Sequence, residues 1–290
     1  MELPLIVGVD GSAASLRALD WAVDEAVRRG APLRVVYASS WEWYEGHEPS
    51  FGVDDGSVRA AAERGAAEAV ARARERTHAV EVTGEALPED PAAALVRESD
   101  AACAVVVGSR GRGRLAGLLL GSVSLSVAAH ARSPVVVVRD TDGHPATDPV
   151  KEVTVGVGEP GESAAAVAFA CAAAERSGAA LRAVRTWRCP AHETPGRPRP
   201  AAPPDPHQRL AQEALDEALR EPLRSHRSLV VRREVLEGDA RTALLDASRT
   251  SGLLVVGARR RKGHLGMQLG PVSHALLHHA ACPVAVVPHG

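Results

Sequence analysis

The chain has 290 residues, 45% apolar and 24% charged, with a formal net charge of −2. That is room for two ordinary domains, since single domains usually run to roughly 100–150 residues. The near-even charge balance argues against a bulk electrostatic partner, so neither nucleic acid nor an anionic membrane is expected.

The elements follow in chain order. Residues 5–9 are a short β-branched apolar run, which suits a strand buried on both faces. Ser12 can cap the helix that follows to about Arg29, and Gly30 can end it. Residues 33–38 read as the second strand. A helix at roughly 57–77 and a third strand at 79–84 come next. Asp90-Pro91 is a strong helix start, with Asp as cap and Pro at the first helical position, and that helix runs to about Ser99. Strand four is 103–108, a helix follows Gly121, and strand five is 134–138. Strands alternating with helices imply a parallel sheet with helices on both faces.

The chain then repeats itself at an offset of 148–149 residues. Ile6-Val7-Gly8-Val9 returns as Thr154-Val155-Gly156-Val157, and Gly30 returns as Gly178. Val105-Val106-Val107-Gly108 returns as Leu254-Val255-Val256-Gly257. The last strand, 134–138, returns as 283–287, and Asp239 stands where Asp90 did as a cap. A period of domain size is a domain duplication. The expected units are 1–140 and 151–290, with 141–150 as linker because it carries Gly143, Pro145 and Pro149. The stretches 41–56, with Trp41, Trp43 and Tyr44, and 189–206, rich in Pro, read as loops. Both follow the second strand of their unit, where a loop can cover a ligand at the carboxyl ends of the strands, and 189–206 reads equally as a surface linker with no such role.

One constellation carries chemistry. After strand four the first half reads Gly108-Ser109-Arg110-Gly111, then nine residues, then Gly121-Ser122-Val123-Ser124. Gly108 and Gly111 can turn the backbone and present N–H groups without a Cβ in the way. Gly121-Ser122 opens a helix whose first N–H groups lack intrahelical partners, and whose terminus carries an effective charge of about +0.5. The Ser122 and Ser124 hydroxyls can add donors, and Arg110, Arg112 and Arg114 make the loop cationic. Together these describe a phosphate site. Asp10 follows the first strand directly, at the carboxyl end of the sheet, where it can accept from a ribose hydroxyl or bind a metal.

These residues resemble the universal stress protein family. Its nucleotide-binding members show G-x2-G-x9-G-[ST] after strand four, matched in full by Gly108, Gly111, Gly121 and Ser122. The opening Val7-Gly8-Val9-Asp10-Gly11-Ser12 and the closing Ser133-Pro134-Val135-Val136-Val137-Val138 also look like that family. The resemblance covers nearly the whole chain, twice. It implies two flavodoxin-like or adenine-nucleotide-binding α/β domains, each a five-stranded parallel sheet of order 3-2-1-4-5. It implies ATP as ligand, with Asp10 near the nucleotide and Ala38, at the end of strand two, near the adenine. It also implies pairing of the last strands of two domains, so strands 134–138 and 283–287 are expected to pair within the chain. A homodimer is a further expectation. The site expected from motif and resemblance together is Asp10, Ala38, Gly108, Arg110, Gly111, Gly121, Ser122, Val123 and Ser124.

The second half departs at three matched positions. Asp10 becomes Gly158, Gly111 becomes Arg260, and Ser122 becomes Pro271. Arg260 puts a long side chain where backbone should approach phosphate, and Pro271 removes an N–H and a hydroxyl. Weak or absent ATP binding is therefore expected there. The basic run Arg259-Arg260-Arg261-Lys262 reads as a solvated loop, or as side-chain donors for some other anion.

Other signals are discounted. His274 and His278 have metal spacing on a helix, with His279 beside them, but Ala275, Leu276 and Leu277 lie between, so no metalloprotease motif exists and surface or interface histidines are expected. Gly111, Gly113 and Gly117 do not fit a dinucleotide fingerprint, and Lys151 and Lys262, the lysines of the chain, sit in no P-loop. The four cysteines, Cys103, Cys171, Cys189 and Cys282, show no C-x-x-C spacing and read as free thiols of a reducing compartment. Met1-Glu2-Leu3-Pro4 lacks the basic start of a signal peptide, and 115–129 is too short to span a bilayer, so a cytoplasmic place is expected. Three functions follow: an ATP-binding stress-response or regulatory protein, a slow ATPase in which Asp10 holds Mg2+ or positions water, and a nucleotide-free assembly scaffold.

Overall fold

A computed structural model describes residues 3–39, 55–111, 120–139, 152–159, 161–189, 205–259 and 269–289. In the first half these form β1 (Leu5–Val9), α1 (Ala13–Arg29), β2 (Leu33–Ala38), α2 (Asp55–Arg76), β3 (Val82–Leu87), α3 (Pro91–Glu98), β4 (Ala104–Gly108), α4 (Ser122–His130) and β5 (Val135–Val138). In the second half they form β6 (Glu152–Gly156), α5 (Ala164–Ser177), β7 (Ala180–Trp187), α6 (Pro206–Arg220), the short α7 (Pro222–Ser225), β8 (Val231–Glu237), α8 (Ala240–Ser248), β9 (Leu253–Arg259), α9 (Pro271–His279) and β10 (Val284–His289).

The termini of the helices are those the sequence signals. Ser15 N–H donates to Ser12 Oγ at 3.2 Å, and Gly30 closes α1 in the left-handed region at φ 68°. Gly178 does the same for α5 at φ 63°. Asp90 accepts from Ala92 and Ala93 N–H groups at 3.0 Å each, with Pro91 at the first helical position. Asp239 caps α8 through Thr242 N–H at 3.3 Å. The third strand lies three residues later than the 79–84 expected. Val82 is the residue that pairs with Leu33 and is buried, whereas Val80 only packs on the rim of the core.

Among the described residues all strands join one ten-stranded sheet of order β3-β2-β1-β4-β5-β10-β9-β6-β7-β8. Each half is thus 3-2-1-4-5 with parallel neighbours. The halves meet where β5 and β10 pair antiparallel, Val136 opposite Ala285. Strand alternation divides the apolar side chains between two faces. Val7, Val35, Val106, Val136 and Ala285 face the layer of α1, α2, α5 and α6. Ile6, Val36, Val105, Val137 and Val284 face α3, α4, α8 and α9. Both cores run unbroken across the junction, and each fully buried Val there contributes about 1.5–3 kcal/mol. The halves also touch through α1 and α5. Buried Glu25 takes Arg28, Arg29 and, from the other half, Arg176 at 3.3 Å, while the Arg29 guanidinium lies 5.4 Å from the Phe169 ring centre. The loop cores at 41–54 and 190–204, the linker 141–150 and the arginines 112, 114 and 260–261 with Lys262 lie outside the described residues.

Candidate nucleotide site

In the order 3-2-1-4-5 the chain reverses direction across the sheet between β1 and β4. Loops leaving those two strands diverge, which opens a crevice at their carboxyl ends. The first half has a cavity of about 350 Å³ there. Each of the nine residues expected from the sequence lines it: Asp10, Ala38, Gly108, Arg110, Gly111, Gly121, Ser122, Val123 and Ser124.

The cavity has two chemical ends. Val36, Ala38, Pro91 and Leu95 make an apolar wall from β2 and the start of α3. Sequence reasoning used Asp90-Pro91 only as a helix start and missed this wall, because the contact depends on α3 crossing above β1. Leu95 sits so close to β1 that a Cβ on Gly8 would lie 2.6 Å from its Cδ1. The other end is polar. Gly121 N–H donates to Ser109 O at 2.8 Å, which folds the segment after β4 back to the start of α4. Gly121 caps α4 in extended backbone with no side chain to answer the first-turn N–H groups, so these open toward the cavity.

Asp10 is held by its own turn. Its Oδ1 accepts Ser12 N–H at 2.9 Å, and its N–H donates to Ser15 Oγ at 3.3 Å. Gly11 makes the turn at φ 79°. Oδ2 faces Gly111, where a Cβ would come within 2.7 Å of it. The glycines therefore differ in purpose from the sequence reading. Neither Gly108, Gly111 nor Gly121 is among those at positive φ. Gly108 is needed because a Cβ there would lie 2.7 Å from the Ala14 carbonyl, where α1 crosses β4. Ser124 is likewise partly structural. Buried in α4, it donates its hydroxyl to Gly108 O at 2.6 Å. Ser122 and Arg110 are exposed at the rim.

The matching place in the second half holds a cavity of about 190 Å³. Gly158 stands where Asp10 does, and Pro271 opens α9 at the place of Ser122. Arg185, at the position of Tyr37, donates to the Gly158 carbonyl and pairs with Glu159 at 3.2 Å. His289, at the end of β10, packs over Gly257, its Nδ1 3.3 Å from where a Cβ would begin. Ser273 lies 3.5 Å from Gly257 O, a loosened copy of the Ser124 bond.

The three α9 histidines lie away from this cavity's lining. The His274 and His278 rings are 4.5 Å apart, and burial, then the charges of His274, His279 and Arg139, push His278 below the usual histidine value. Among the described residues no cluster of three His, Cys, Asp or Glu side chains has the arrangement of a metal centre. Among them, too, no helix is long and apolar enough to cross a membrane.

The family model described as "Universal stress protein family" matches residues 3–139 and again 149–288. Universal stress protein Rv2623 of Mycobacterium tuberculosis is 34% identical over 298 residues, covering 98% of this chain and 96% of that protein. Universal stress protein Rv2005c of the same organism is 35% identical over 291 residues, covering 97% and 96%. Among solved structures, a universal stress protein from Archaeoglobus fulgidus DSM 4304 superposes over 99% of this chain and 98% of its own, with a TM-score of 0.72 at 17% identity. That last likeness concerns the fold.

Proposed function

This chain belongs to the universal stress protein family, and we propose that its first half binds ATP and serves a regulatory role in a stress response. The observation that carries the reading is the convergence of all nine residues expected from motif and resemblance on one cavity of about 350 Å³. That volume is within the range of about 300–1,000 Å³ typical of small-molecule sites, with apolar walls and few polar groups.

The residues fit the ligand. The apolar wall of Val36, Ala38, Pro91 and Leu95 suits a base, and the open N-terminus of α4 with Ser122 suits phosphates. The gap beside Asp10 Oδ2, which a Cβ on Gly111 would fill, suits a ribose or a phosphate-bound cation. Mg2+ would be held through the phosphates, with Asp10 as the one carboxylate on the lining among the described residues. Hydrolysis gains no support beyond that carboxylate, whose Oδ1 already accepts the Ser12 N–H.

The functional units are 1–140 and 151–290, joined by 141–150, and nucleotide resides mainly in the first. The smaller second cavity, Gly158 in place of Asp10 and Pro271 in place of Ser122 support that allocation. Occupancy favours one conformation of the surrounding loops because ATP binds it better, and the readout is a partner or a change of oligomeric state. The experiment is to denature freshly purified protein and identify released nucleotide by mass spectrometry, with stoichiometry. About one adenine nucleotide per chain is expected. Two per chain would overturn the allocation, and none, with no binding on titration, would favour the scaffold.

A further inference from the structure

The sheet ends on two outer strands, β3 and β8. Among the described residues β8 pairs with β7 alone, in parallel. Val230 O accepts the Leu181 N–H at 2.8 Å, which sets the phase of that ladder. Backbone groups alternate sides along a strand. Those of Arg232 and Glu234 therefore point to β7, and those of Val231, Arg233 and Val235 point outward from the sheet. Such an edge is a template for another strand.

The side chains on this edge are complementary to their own copy. A two-fold axis normal to the sheet keeps each side chain on its face, so an antiparallel copy must set one β8 residue opposite itself. Centred on Arg233, the copy brings Arg232 opposite Glu234 and Glu234 opposite Arg232. The same register sets Val231 opposite Val235 and Val230 opposite Leu236. Val230 and Leu236 are 66% and 36% exposed, on the face that carries Arg232 and Glu234. Centring on Arg232 or on Glu234 instead would set like charge against like. The Arg233 side chains at the centre are each neutralised by Asp216 of α6, at 3.1 Å.

We propose that β8 is the surface through which two copies of this chain associate, as an antiparallel pair centred on Arg233 that continues one sheet into the other. Acid and base already alternate across β6, β7 and β8. Glu152 takes Arg182 at 3.8 Å and Arg232 at 3.4 Å, and Glu234 takes Arg182 at 2.7 Å. The second copy extends that row, beside an open groove of about 480 Å³ lined in part by the same four residues. Charges on an outer strand commonly prevent pairing, and they do so when a copy opposes like with like. Here the register opposes unlike charges. The other outer strand has no such property. The charge on β3 is Glu85, held by Arg34, so no symmetric register of β3 sets opposite charges together. The junction of β5 with β10 lies within one chain, which leaves β8 for the second copy.

The test is sedimentation velocity of the full chain over about 1–100 μM. A concentration-dependent dimer is expected, weakened by salt. Arg232→Glu sets Glu opposite Glu, and Glu234→Arg sets Arg opposite Arg. Each variant alone should associate at least about tenfold more weakly, with circular dichroism showing that it is folded. An equimolar mixture of the two should dimerise again, because each then opposes acid to base at both places. Repeating the series in the Gly111→Arg background keeps it separate from nucleotide binding in the first half, and the same result is expected there. A wild type that stays monomeric over the whole range would overturn the proposal. So would single variants that dimerise as well as wild type, or a mixture no more associated than its components.

Discussion

Asp10 Oδ2 lies 2.7 Å from the point where a side chain on Gly111 would begin. The two ends of the crevice, after β1 and after β4, therefore approach each other so closely that a methyl group on Gly111 would displace the Asp10 carboxylate, the end of a movable side chain. In the second half the matched residue is Arg260. Gly111→Arg combined with Gly121→Ala is expected to abolish ATP binding in calorimetry. Gly111 is exposed and its φ is not positive, so the far-ultraviolet circular dichroism and melting temperature should stay close to wild type. Tight binding by the double variant would sink the site assignment.

Gly108 makes the opposite prediction. A Cβ there meets the Ala14 carbonyl carbon and oxygen at 2.7 Å each, and backbone in a helix cannot rotate aside. Gly108→Ala must push α1 off β4, at a cost of about 1–3 kcal/mol. Urea unfolding should show the loss even without nucleotide. Gly8→Ala meets only the side chain of Leu95, so it should destabilise less while narrowing the apolar wall. Equal destabilisation by the two would contradict this contrast.

These two glycines show what the sequence displays and what it conceals. Motif spacing placed Gly108 and Gly111 in one expected site, and both line the cavity of the first half. It did not separate their reasons, because a glycine required by a crossing helix and one required beside a ligand look alike in one dimension. The strands were legible as continuous apolar runs because both faces of the sheet are covered. The β3 register was not, since half its side chains are exposed and the pattern fades. Leu95 lay unremarked inside the helix expected from Asp90-Pro91, and its role in the wall depends on how α3 packs. The departure of the second half from the motif was legible at Gly158 and Pro271. Arg185 and His289 were invisible, since their effect depends on where strand ends meet.

Ser122 and Ser124 should separate cleanly. Ser124 is buried and its hydroxyl ties α4 to the last carbonyl of β4, so Ser124→Ala should cost about 1–2 kcal/mol of stability. Ser122 is exposed on the rim. Ser122→Ala should leave the unfolding midpoint nearly unchanged while weakening ATP binding several-fold. Comparison of urea midpoints with calorimetric affinities reads both effects, and loss of stability in the Ser122 variant would refute the division.

The junction between halves depends on Glu25. Its side chain is 8% exposed and holds Arg29 at 2.7 Å, Arg28 at 3.0 Å and Arg176 at 3.3 Å. Burial, then the charge of Arg29, lowers the Arg176 pKa from its usual value. Removing the carboxylate leaves three cations together with no anion among them. Glu25→Ala is expected to cost about 2–4 kcal/mol, at or below the usual cost of breaking a buried pair because Arg176 is partly solvated. Calorimetry should show the loss, and the double variant Glu25→Ala, Arg176→Ala should recover part of it. No recovery would place the effect of Glu25 inside α1 alone.

The buried thiols contribute to the loss of stability at alkaline pH. Burial pushes the Cys282 thiol up to about 12 and the Cys171 thiol up to about 11, from an ordinary value of 9.0. A raised folded-state pKa means that the folded chain keeps the proton after the unfolded chain has lost it. The associated stability is therefore complete below pH 9.0 and is lost upward from there, through 11 for Cys171 and 12 for Cys282. Within that window each thiol contributes a slope of about −1.4 kcal/mol per pH unit. Cys282→Ala should shift stability by a constant amount from pH 7 to about 8.5, then show a shallower decline than wild type above about pH 9.5. Urea midpoints across that range measure the slope difference, which isolates Cys282 from the tyrosines and lysines that titrate in both proteins. Parallel alkaline limbs would mean that the Cys282 thiol ionises as freely in the fold as in the open chain.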